Sequence, residues 1–96
     1  MALGVLATIT VLEGKNEEFE ALFTGLTEQV LANEPGALLY ALHRSKADSQ
    51  EYVVMEQYAT AADIEAHGKT AYFAEAGKTM GGLVAGAPKI QVFDVV

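Results

Sequence analysis

The sequence predicts an α+β fold in ferredoxin-like βαββαβ order, a four-stranded antiparallel sheet under helices, and three observations lead there. Apolar residues alternate with period two over 3–12 and then repeat with helical spacing over 16–33. Two further strand-like runs, 37–45 and 51–58, flank five polar residues, as a hairpin does. A helical region over 61–83 and a closing strand over 88–96 complete the order.

In the first strand Leu3, Val5, Ala7, Ile9 and Val11 share one face, and Gly14 marks the turn out of it. The first helix carries Phe19, Leu22, Phe23, Leu26 and Val30 on one face. Glu17, Glu18 and Glu20 crowd its first turns, where the helix dipole favours negative charge. Glu34-Pro35-Gly36 stops it, because proline disfavours helical conformation in the residue before it. Thr60 followed by Asp63 resembles a capping box, so the next helix begins near Ala61. Ile64 and Phe73 would lie on opposite sides of one regular helix. Gly68-Lys69-Thr70 between them offers a glycine stop and a threonine cap, which predicts two short helices, 61–67 and 71–83. Phe73, Ala76, Met80 and Leu83 form the second one's buried stripe.

The strands are apolar on both faces. Leu39 and Ala41 oppose Leu38, Tyr40 and Leu42; Val53 and Met55 oppose Tyr52 and Val54; Phe93 and Val95 oppose Ile90, Val92 and Val96. Helices cover one face only, and exposed apolar patches mark interfaces, so a homodimer is expected, with His43 at the interface.

The chain has 96 residues, 51% of them hydrophobic, sufficient for the single domain expected over 1–96. Thirteen acidic against six basic residues give a net charge of −7, which argues against nucleic acid and anionic membranes as partners. Cysteine is absent, which removes thiolate metal sites and cysteine nucleophiles. No signal peptide or membrane span is visible, so a cytoplasmic location is the expectation. Two histidines on different elements supply no metal-ligand spacing, and Gly81-Gly82 follows a helix rather than a strand, unlike a dinucleotide loop. No cofactor or metal is therefore expected.

Proton-transfer groups concentrate in Glu56, Tyr58 and His67. His67 lies about 10 Å along its helix. Glu56 lies about 13 Å back along its strand, at similar depth, so the two side chains meet if Glu56 faces the helices. A histidine at a helix C-terminus beside a carboxylate is a fitting proton acceptor; the alternative is a cap on terminal carbonyls. The tyrosines read as core or rim aromatics, and Arg44 as a partner for a strand neighbour such as Glu56.

Gly14-Lys15 with Glu18-Phe19, Glu34-Pro35-Gly36, Leu42-His43-Arg44-Ser45, Val54-Met55-Glu56-Gln57-Tyr58, His67 and Ile90-Gln91-Val92-Phe93-Asp94 stand in a recognisable order. Nearly the whole chain resembles the antibiotic biosynthesis monooxygenase family, including its quinol-monooxygenase-like members. The resemblance implies a dimeric α/β barrel and oxidation of quinol- or anthrone-like aromatics with O2, without metal or flavin. It implies catalytic roles for His67, Glu56 and Tyr58; Tyr72, Arg44 and Phe73 are the further candidates for substrate contact. Thr70-Ala71-Tyr72 stands where many relatives have threonine-proline-histidine. Ala7, Tyr58 and about Gly77 occupy the asparagine, tryptophan and histidine places of the haem-degrading branch, so that activity is not expected. A ligand-binding dimer without turnover and a proton-shuttling isomerase are the other readings.

Overall fold

The structure is a computed structural model describing residues 1–96. Its elements are β1 (Leu3–Thr10), α1 (Asn16–Asn33), β2 (Ala37–Arg44), β3 (Glu51–Tyr58), α2 (Ala61–Gly68), α3 (Ala71–Met80) and β4 (Lys89–Asp94). The sheet order is β2-β3-β1-β4, every pair antiparallel, which is the ferredoxin-like arrangement.

The registers define what each face carries. Tyr40, Glu56, Val5 and Val92 form one rung on the helix side, and Leu42, Val54, Ala7 and Ile90 the next. Phe19, Phe23, Leu26 and Val30 of α1 close on this face and are buried, as their helical spacing predicts. Tyr52 joins them, its ring centroid 4.9 Å from that of Phe19, and its hydroxyl receives a 2.9 Å bond from Asn16. The helices pack over β2 and β3, while Ile90 and Val92 of β4 remain 56% and 57% exposed.

Three local expectations are corrected. A register shift between Ala37 and Leu39 puts both Ala37 and Tyr40 inside and leaves Leu38 56% exposed rather than level with Tyr40. The last helix stops at Met80, not residue 83, because Gly81-Gly82 adds backbone entropy; Leu83 is nonetheless buried, and Val84 bridges to Val11. Gly68 belongs to α2 itself, and Lys69 is its C-cap. Thr60 and Thr70 cap α2 and α3 as expected, accepting from the backbone N–H groups of Asp63 and Phe73.

Candidate functional site

A cavity of about 490 Å³ lies between the sheet and α2–α3, walled mainly by apolar side chains from β1, β4, α1 and α3. Ala7 and Gly77 line it, and their small size leaves the space open. Its polar groups are Tyr40, Glu56, Tyr58 and His67. Glu56 reaches it because it shares an inward rung with Val5 and Tyr40. Tyr58, two residues on, has the same strand parity, and its hydroxyl donates to Glu56 Oε1 at 2.5 Å.

His67 occupies the last turn of α2 and is 6% exposed. The Thr70 hydroxyl donates to its carbonyl at 2.9 Å, tying α2 to the start of α3. Three rings surround the imidazole, with centroids 4.6 Å (Phe73), 5.3 Å (Tyr40) and 5.6 Å (Tyr58) away. Its Nδ1 lies 3.0 and 3.1 Å from the two carboxylate oxygens of Glu34, which also accepts a bond from the Tyr72 hydroxyl. No protein group bonds Nε2, yet the structure contains no sealed, unpaired side-chain nitrogen or oxygen. Nε2 therefore keeps some access at the cavity wall. The Tyr40 hydroxyl is in the same position, without a protein partner in a residue only 4% exposed.

Burial raises the Glu56 carboxyl above its ordinary value, and the Tyr58 hydroxyl and the His67 charge oppose this. Burial first, and Glu56 second, push both Tyr40 and Tyr58 far above the usual phenol range. Both phenols are thus held neutral; the Tyr58 proton is committed to Glu56, and that of Tyr40 is free for an oxygen that gains negative charge.

Of the residues expected at a site, Glu56, Tyr58, His67 and Phe73 gather on this cavity, and Phe73 is 37% exposed at its edge rather than in a fully buried stripe. Arg44 and Tyr72 do not line it. Arg44 stands opposite Tyr52, a full two rungs from Glu56, and its guanidinium bonds Glu20 at 3.0 Å instead. Tyr72 is rotated by one helical residue from Phe73, away from the cavity and onto Glu34.

Glu56 and His67 face the same space, but the imidazole's hydrogen-bond partner is Glu34, which the sequence reading used only as a helix stop. One signal for it was present. A carboxylate just beyond a helix C-terminus opposes the dipole, and α1 has no basic residue in its last turn to offset it. Such a local conflict points to a role elsewhere in the fold. Tyr40 was legible too, since a hairpin around the 46–50 loop sets it opposite Glu56. No group of three potential metal-ligating side chains is assembled anywhere in the structure.

An inward-facing, mostly apolar cavity on a ferredoxin-like sheet, with proton-transfer groups at one wall, characterises this small α+β protein. The chain belongs to the antibiotic biosynthesis monooxygenase family, whose sequence profile matches residues 2–79. A crystal structure of a candidate antibiotic biosynthesis monooxygenase from Caulobacter crescentus is similar at TM-score 0.96 and 46% identity, covering 99% of this chain and 90% of that one. A Pseudomonas aeruginosa protein matches at TM-score 0.88 and 28% identity, covering 99% and 94%. A candidate monooxygenase of the same family from Nitrosomonas europaea, at TM-score 0.95 and 24% identity over 99% and 90%, shares the fold. No curated protein matches significantly. Family and neighbours place the chain among monooxygenase-like proteins. No helix is long and apolar enough to cross a membrane.

Proposed function

We propose that the protein is a cofactor-independent monooxygenase that oxidises a quinol- or anthrone-like aromatic with O2. The observation that carries this is the His67 imidazole at the wall of an apolar cavity of about 490 Å³, its Nε2 without a protein partner and two neutral phenols beside it. That volume lies within the range of small-molecule sites, and its apolar lining suits fused aromatic rings.

In this reading His67 Nε2 accepts the acidic proton of an anthrone or its phenolic tautomer. The resulting anion is stabilised by a hydrogen bond from Tyr40 in a mostly apolar site. One electron passes from the anion to O2, and the radical pair combines to a carbon-bound peroxide. Return of the proton and loss of water leave the quinone carbonyl, so one oxygen atom enters the product and the other leaves as water. In this reading His67 returns that proton, and Glu56, hydrogen-bonded to Tyr58 on the same cavity, is the second proton-transfer group.

The protein acts as a homodimer in this reading, supported by the outer sheet face. Leu39 and Met55 are each 39% exposed there, and Phe93 47%, on a face that a second copy would cover.

Oxygen uptake with anthrone, corrected for autoxidation, tests the proposal. His67→Ala should reduce uptake roughly a hundredfold or more, and Glu56→Gln should also reduce it. Uptake unchanged in both variants would refute the site. Thermal stabilisation by an aromatic ligand without any uptake would instead favour a binding protein.

A further inference from the structure

We propose that Glu34 is a positioning residue that fixes the tautomer and aim of His67, and that Tyr72 holds Glu34 in place. The inference deepens the role given to His67 above and rests on it. It rests also on where these side chains lie. His67 lines the cavity, whereas Glu34 and Tyr72 line a separate surface cleft of about 270 Å³ with Pro35, Asp63 and Thr70. The imidazole is the partition between the two spaces.

An ionised carboxylate accepts hydrogen bonds and donates none, so the nitrogen facing Glu34 must carry the proton. Both Glu34 oxygens lie within 3.0 and 3.1 Å of Nδ1, which assigns the hydrogen to Nδ1 and leaves the Nε2 lone pair on the cavity side. Tyr40, Tyr58 and Phe73 pack around the ring and limit its rotation. Once Nε2 accepts a proton, the imidazolium already stands against a carboxylate that is only 12% exposed. Tyr72 donates to the same carboxylate, and burial together with that bond pushes its phenol up to about 12, so the donor persists across the neutral range.

Position along the chain supports the same role. Glu34 follows α1 where the dipole disfavours negative charge, so helix stability does not explain a carboxylate there. Pro35 ends the helix and turns the backbone so that Glu34 faces the last turn of α2. The end of α1 thus meets the α2–α3 junction, 33 residues on, at one imidazole.

The decisive measurement needs no substrate. Nitrogen-15 NMR of the histidine side chains distinguishes the two ring tautomers, and His43, the only other histidine, lies on the outer sheet face as a reference. The wild type should show His67 as the Nδ1–H form alone. Glu34→Ala should mix in the Nε2–H form, with Tyr72→Phe between the two. The near-isosteric Glu34→Gln guards against a folding defect, and its amide should also admit the Nε2–H form. A His67 signal that stays Nδ1–H in both Glu34 variants overturns the proposal. In anthrone oxidation, Glu34→Gln should lower kcat roughly a hundredfold with KM little changed. If His67→Ala leaves oxygen uptake intact, the proton-acceptor role of His67 fails, while the tautomer result still decides the positioning.

Discussion

Gly77 is the position at which stability and function should move in opposite directions. It sits inside α3 at the cavity's border, and a Cβ built there meets no atom within 4 Å. Glycine in a helix interior is less favourable than alanine by about 0.8–1.0 kcal/mol. Gly77→Ala should therefore stabilise the protein by about 1 kcal/mol. For a domain of this size that raises Tm by roughly 4–8 °C. Gly77→Leu sends three more carbons into the apolar space, each contributing about 0.8 kcal/mol where it is buried without strain. The same atoms take room from the 490 Å³ cavity. Thermal unfolding of the three proteins, set beside oxygen uptake with anthrone, reads both effects. Gly77→Leu should melt no lower than wild type and should lose most of its uptake. A lower Tm for Gly77→Ala would refute the open space around this residue. Full uptake in a folded Gly77→Leu protein would show that the substrate binds elsewhere.

The Glu56 carboxyl, raised by burial, makes its largest contribution to stability below its ordinary value of 4.5 and loses it as pH rises through the folded value. Glu56→Gln should accordingly gain stability relative to wild type as pH rises toward neutral, read from denaturant midpoints across pH. The Tyr72 phenol is raised from 10.0 to about 12, first by burial and then by Glu34. Its contribution is complete below 10.0 and lost as pH rises through about 12, so the stability gap between wild type and Tyr72→Phe should narrow over that window in thermal melts. Met55→Glu places a charge in the middle of the outer apolar face and should yield monomers by light scattering; a dimer unchanged at low concentration would show that this face is not the interface.

Much of the fold was legible because periodicity and punctuation agreed. The spacing of Phe19, Phe23, Leu26 and Val30, with Pro35 beyond, matches α1 from Asn16 to Asn33. The half-turn mismatch between Ile64 and Phe73 foretold the break between α2 and α3. Strand parity failed at Leu38, where the register shift inserts a residue that no composition rule reveals. The site was only partly legible for a similar reason. Depth along the chain brought Glu56 and His67 to the same cavity, but side-chain direction chose the partner. Glu34 and His67 are 33 residues apart, and their meeting depends on how α2 docks beside the loop after α1. Tyr72 likewise turned on one residue of helical phase, which places its hydroxyl on Glu34 and leaves Phe73 at the cavity.

The pairing of β4 with β1 carries a consequence for how the binding space comes into being. Leu3 pairs with Asp94, so this contact closes nearly the whole chain into one loop, and such non-local contacts are slow to form. All residues of β4 are exposed, which makes it the strand least held by packing. Yet Ile90 and Val92 supply one wall of the cavity. Fraying of this edge strand would thus open the pocket first, while the hairpin that carries Tyr40 and Glu56 stays assembled.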